Sequence, residues 1–90
     1  MNQVSIYTKK GCSKCDHLKG LLKDVQGIIV ATKDIDYPEN ANWMKSRDLN
    51  TVPILAIYDE NGKELVVTFG FTKGNIANKF KQHTGGEIFV

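Results

Sequence analysis

Cysteine is scarce in this sequence: Cys12 and Cys15 are the only two among 90 residues, with two prolines and one tryptophan. Two cysteines separated by two residues close a loop too short to restrain an unfolded chain much, so a disulfide scaffold is excluded. Stability must come from a hydrophobic core. A chain of this length buries a little over ~60% of its unfolded surface, enough for one core and one domain spanning residues 1–90. No apolar run approaches the ~20 residues of a membrane span, and the start Met-Asn-Gln-Val-Ser-Ile-Tyr lacks a signal-peptide pattern. A reducing, cytoplasmic setting without a membrane partner is therefore expected. Charge of one sign is lacking too. Twelve Lys and Arg against ten Asp and Glu leave a net charge of +2, short of the basic excess of a nucleic-acid-binding domain, so no nucleic-acid partner is expected.

What the sequence does contain is an alternation of strand and helix patterns. Residues 3–8 set Val4, Ile6 and Thr8 against Ser5 and Tyr7 and stop at Lys9-Lys10-Gly11, a strand running into a loop. From Ser13 onward, Cys15, Leu18, Leu21, Leu22 and Val25 recur at three- and four-residue spacing, which predicts an amphipathic helix ending near Gly27. Ile28-Ile29-Val30-Ala31 opens a second strand reaching Asp36, and its unbroken apolar run predicts a position at least partly central in a sheet. Pro38 suits the first turn of a short second helix, carried by Ala41, Met44 and Trp43 or Leu49 as far as Asn50. Residues 54–58 and 65–69 read as two more strands, and Asn61-Gly62 between them predicts a hairpin. Ile76, Ala77 and Phe80 mark a last helix ending at Gly85-Gly86. The order β-α-β-α-β-β-α predicts an α/β fold: a four-stranded mixed sheet, parallel at its β-α-β unit and antiparallel at its hairpin, with helices on both faces.

The two cysteines stand where the first strand's loop enters the first helix. Three positions apart on a helix, two Cβ atoms lie ~5–6 Å apart, whereas a disulfide wants ~3.8 Å. With Cys12 at the cap, where the backbone is not yet helical, that mismatch is relieved and the bond can open and close with small movements. The cap also sets Cys12 beside unpaired backbone N–H groups at the positive end of the helix dipole, with Lys9, Lys10 and Lys14 close in sequence. These effects lower a thiol's pKa and predict Cys12 as the attacking nucleophile, with Cys15, one turn in and more buried, resolving the mixed disulfide. Two alternatives stand beside this one. A zinc site would need more ligands, and besides carboxylates only His17, on a different helical face, and His83, at the far end of the last helix, are available. Two inert thiols would need nothing more. The strand-to-helix position of Cys-x-x-Cys favours redox chemistry over both. Separately, Thr51-Val52-Pro53 precedes an apolar strand, and the spacing leaves the cis and trans forms of Pro53 both open.

Together these segments resemble the glutaredoxin branch of the thioredoxin-fold redoxins. Ile6-Tyr7-Thr8-Lys9-Lys10-Gly11-Cys12-Ser13-Lys14-Cys15 is similar to the family's strand and active-site loop, and Thr51-Val52-Pro53 to its cis-proline motif. The resemblance implies a thioredoxin-like fold, a thiol-disulfide oxidoreductase, Cys12 and Cys15 as its catalytic pair, and Pro53 as the cis residue. It also implies that the backbone of Val52 pairs with a bound peptide or glutathione and that Lys9 helps hold a glutathione carboxylate. Ser13-Lys14 stands where typical glutaredoxins have Pro-Tyr, and Gly70-Phe71-Thr72-Lys73 where they have Gly-Gly-x-Asp. Thr72 offers a hydroxyl and a helix-start N–H to an anion. Gly70-Phe71 is similar instead to the Ser-Gly-Phe segment of the redoxins that serve ribonucleotide reductase and draw electrons from thioredoxin reductase. The implied partners are a disulfide-containing protein, with ribonucleotide reductase a candidate, and either glutathione or a flavin-dependent thioredoxin reductase as reductant. A monomer with no tightly bound cofactor suffices for that cycle, whereas an iron–sulfur-binding relative would use Cys12 and glutathione thiols between two subunits.

Overall fold

The computed structural model describes residues 1–69, 78, 80–82 and 84. Six elements follow one another: β1 (Asn2–Thr8), α1 (Ser13–Lys23), β2 (Ile28–Asp34), α2 (Pro38–Lys45), β3 (Ile54–Tyr58) and β4 (Glu64–Phe69). The strands form one mixed sheet in the order β2-β1-β3-β4, with β1 parallel to β2 and antiparallel to β3, and β3 antiparallel to β4.

Side chains alternate across a strand, so β3 supplies both faces of the sheet. Leu55 and Ile57 join Val4 and Ile6 of β1, Leu18 and Leu22 of α1, and Phe80 in one buried cluster. Ile54 and Ala56 join Tyr7 and Met44 of α2 in the other, with Trp43, Leu49, Val52, Tyr58 and Val67 packed around it. Helices therefore cover both faces, as the element order predicts. Residues 78, 80–82 and 84 are helical, and the Thr84 hydroxyl donates to the Phe80 carbonyl at 2.7 Å. Ile76, Ala77 and Gly85-Gly86, which mark the predicted last helix, lie outside the described residues, as does the 87–90 tail.

Three sequence expectations are corrected. The run at Ile28–Ala31 predicts a partly central strand, yet β2 is the edge of the sheet, with Ile29 53% and Val30 39% exposed. Isoleucine and valine favour any pleated, half-buried surface, so the run reports strand propensity rather than centrality. β2 also stops at Asp34 rather than Asp36, because Asp34 Oδ1 accepts from the Asp36 N–H at 2.9 Å and its carbonyl from Tyr37, turning the chain. α2 ends at Lys45 rather than Asn50. Beyond it, the Leu49 N–H donates to the Met44 carbonyl at 3.0 Å and the Asp48 N–H to Lys45 at 3.1 Å, with Asp48 at φ +55°. That is a Schellman ending, closed by the apolar pair Met44 and Leu49, with aspartate where glycine is usual. α1 similarly closes at Lys23, before Gly27 turns the chain into β2 at φ +80°.

The hairpin forms at Asn61-Gly62. Asp59 Oδ1 accepts from the N–H groups of Asn61 and Lys63, both at 2.9 Å, and Gly62 takes φ +85°.

Candidate active site at the start of the first helix

The site begins where β1 ends. Thr8 is buried, and its carbonyl accepts from the Ile35 N–H at 2.9 Å, which holds the strand end against the chain leaving β2. Lys9 and Lys10 then run outward into solvent, and Gly11, at φ +73°, makes the reversal that brings Cys12 to the helix. Cys12 is the N-cap of α1, with extended angles (φ −95°, ψ 102°), and its carbonyl accepts the first intrahelical bond from Asp16 at 3.1 Å.

Its side chain does the capping as well. The Cys15 N–H donates to Cys12 Sγ at 3.1 Å, so the sulfur occupies the place where a serine or aspartate oxygen usually satisfies an end-of-helix donor. The same two residues are joined by a disulfide, with Cα atoms 5.2 Å apart. Cys12 is half-buried, whereas Cys15 is fully buried, as expected for an accessible sulfur and an enclosed one. The Cys15 N–H and the N-terminal end of the α1 dipole are thus both directed at Cys12 Sγ. That N–H···S contact is a detail that cysteine spacing does not reveal.

The Val52-Pro53 peptide bond is cis. Thr51 is exposed, Val52 half-buried and Pro53 buried. The pairing Tyr7↔Ile54 places the end of β1 beside the start of β3, so the loop to Cys12 and the Val52-Pro53 bond leave the same end of the sheet. Lys14 is exposed on the first turn of α1. Gly70, Phe71 and Thr72 lie outside the described residues. Among the described residues no group of three or more His, Cys, Asp or Glu gathers to hold a metal ion, and no helix is long and apolar enough to cross a membrane.

A second cluster lies on the α2 face, running from Tyr7, opposite Ile54 at the start of β3, to Glu64, opposite Tyr58 at its end. The Tyr7 ring stacks on Trp43, centroids 4.1 Å apart and planes 9° apart, and the Arg47 guanidinium sits 4.1 Å from the Trp43 ring centre. Arg47 also pairs with Glu64 at 3.0 Å. Burial pushes the Tyr7 phenol up to about 12, with Tyr58 adding to the rise, and burial beside Glu64 raises Tyr58 as well. Arg47, Glu64, Leu49 and Val67 line an open cavity of about 430 Å³. Trp43 has the packing role its place in the sequence suggests, whereas Arg47 and Glu64 carry no sequence signal beyond the i, i+4 spacing of Trp43 and Arg47.

Comparison with known proteins agrees with this fold. Among solved structures, thioredoxin O2 from Arabidopsis thaliana in its oxidized state superposes with a TM-score of 0.72 at 16% identity, covering 93% of this chain and 76% of that one. Thioredoxin O1 from the same plant, also oxidized, gives 0.71 at 19% identity, covering 93% and 78%. The thioredoxin of Fasciola hepatica gives 0.68 at 17%, covering 91% and 80%. At these identities the likeness is one of fold, which is thioredoxin-like. No curated protein sequence matches the chain. The family description "Glutaredoxin" matches residues 4–61, which contain β1 from Val4 onward, the Cys12–Cys15 pair, Val52-Pro53 and β3, and the chain accordingly belongs to the glutaredoxin family.

Proposed function

We propose that this chain is a dithiol oxidoreductase that reduces protein disulfides. The observation that carries the reading is Cys12: a half-buried sulfur capping α1, accepting the Cys15 N–H and joined to the buried Cys15. In the reduced protein the Cys12 thiolate attacks one sulfur of a substrate disulfide, forming a Cys12–substrate bond and releasing the other substrate sulfur as a thiolate. The Cys15 thiolate then attacks Cys12 Sγ, forming the Cys12–Cys15 bond and freeing the second substrate sulfur. Two electrons pass from the cysteine pair to the substrate, and an external thiol or dithiol must return them. Glutathione and a flavin-dependent thioredoxin reductase are the two reductants proposed, and a thiol-regenerated enzyme such as ribonucleotide reductase is a fitting substrate.

In this reading a substrate peptide lies extended along the backbone of Val52, next to Thr51 and Pro53, while Lys9 and Lys14 meet its polar groups. Reduction of a disulfide-bonded peptide by the wild type, Cys12→Ser and Cys15→Ser proteins tests it. Cys12→Ser is expected to fall to background, and Cys15→Ser to stop as a covalent adduct with the mass of chain plus peptide. Full activity in Cys12→Ser, or an adduct on Cys15 in place of Cys12, would overturn the assignment.

A further inference from the structure

The lysines around Cys12 are set apart from the rest of the molecule's charge. Residues 1–15 hold Lys9, Lys10 and Lys14 and no Asp or Glu, while the remaining residues carry nine Lys and Arg against ten Asp and Glu. The near-neutral total therefore conceals a basic active-site loop on an otherwise slightly acidic chain. All three lysines are exposed. Among the described residues the ion pairs are Met1–Glu60, Lys19–Asp16 and Arg47–Glu64, and none of them engages these lysines. The acid closest to the loop in sequence, Asp16, has its Oδ1 3.3 Å from Lys19. Asp34 and Asp36 belong to the β2 side of the sheet: Asp34 is paired with Thr8, and its Oδ1 is taken by the Asp36 N–H. β1 separates β2 from β3 and so from Pro53.

We propose that the preferred substrates of this chain are disulfides flanked by acidic side chains, selected by the charge of Lys9, Lys10 and Lys14. The inference rests on the oxidoreductase reading and names the substrate class of that same site. Lys10 and Lys14 are each two residues from Cys12, so their Cα atoms lie at most ~7 Å from its Cα, and their flexible stems carry the charges over a range comparable with the Debye length of ~8 Å at physiological ionic strength. Charges that close act on an incoming substrate before contact, and focusing of this kind changes association rates by ~10- to 1,000-fold. The chemical step pulls the other way. An acidic flank repels an attacking thiolate, raises the pKa of the departing one and slows its release, so any preference has to be read against a small dithiol that attacks the same disulfide as a thiolate but carries no lysines.

Three peptides with one internal disulfide, flanked by two Glu, two Gln or two Lys, supply the test. The reduced full-length protein is mixed with each at about 20 mM and about 200 mM salt, and each rate is divided by that of dithiothreitol. The Glu peptide is expected to be reduced at least tenfold faster than the Lys peptide at low salt, with the gap closing at high salt. In Lys10→Glu/Lys14→Glu, checked for fold by circular dichroism, the Glu-to-Lys ratio should fall to one or below. Both peptides meet the same Cys12 thiolate in any one variant, so a change in its pKa cancels from the ratio. A wild-type ratio near one, or a ratio that survives the double substitution, overturns the proposal. Failure to reduce the Gln peptide at all would instead overturn the oxidoreductase reading beneath it.

Discussion

Tyr7 links the end of β1 to α2, and its phenol is the group whose ionisation this fold resists most plainly. Its ring is flat against Trp43, its surroundings are largely dry, and Arg47, paired with Glu64, sits over the Trp43 ring. Stacked rings add about 0.5–1.5 kcal/mol beyond their buried area, and the guanidinium over indole about 0.5–1 kcal/mol. An unfolded tyrosine titrates near ~10, whereas burial carries Tyr7 up to about 12. The folded chain therefore keeps a proton that the unfolded chain releases. The associated stability is fully present below pH ~10 and is lost as the pH rises through the folded value. Urea unfolding between pH 8 and 12 should show this loss in the wild type and a shallower one in Tyr7→Phe, where Tyr58 alone still contributes in the same direction. Parallel curves for the two proteins would show that Tyr7 does not carry the effect.

At the scale of elements, the end of α2 governs how the chain approaches Val52 and Pro53. Asp48 closes the Schellman ending in the left-handed region, at φ +55°, which costs a non-glycine residue roughly 1–2 kcal/mol. Asp48→Gly is expected to raise stability by about 0.5–1 kcal/mol in urea unfolding, less than the full strain because glycine also loosens the unfolded chain. A destabilised Asp48→Gly would mean that the aspartate side chain contributes more than its backbone costs. The same residue shows why this boundary was hard to read: sequence patterns mark such endings by glycine, and here the position is aspartate. The β3–β4 hairpin was legible because Asn61-Gly62 carries its turn chemistry openly. The edge position of β2 was not, since Ile29 and Val30 express strand preference without saying how many neighbours the strand has. Cys12 and Cys15 were readable because everything that defines their geometry lies within one turn of helix. The isomer of Pro53 leaves no trace in spacing, and the Tyr7, Trp43, Arg47 and Glu64 cluster is assembled from β1, α2, the turn after it and β4, which no local pattern connects.

For the whole molecule, the sheet is the body and the cysteines are an attachment to it. β3 is buried on both faces, α1 is fastened to one face by Leu18 and Leu22 and α2 to the other by Met44, and these contacts involve no disulfide. The scarcity of cysteine thus has a positive side: the two sulfurs can change oxidation state while the core keeps its packing. Chain-entropy arguments assign a four-residue loop a stabilisation of only about 2 kcal/mol, against the ~5–15 kcal/mol typical of a folded domain. Part of even that small loss is offset locally, because a reduced Cys12 can still accept the Cys15 N–H and hold the first turn of α1 closed. Reduction is accordingly expected to leave one cooperative unfolding transition, shifted by no more than about 2 kcal/mol, with near-ultraviolet circular dichroism showing Trp43 still fixed against Tyr7. The measurement is a pair of urea titrations, one on the oxidised protein and one with a phosphine reductant present throughout. Loss of the cooperative transition on reduction would show that the bond between Cys12 and Cys15 supports the fold, and a protein that unfolds whenever its disulfide opens could not complete the cycle proposed for it.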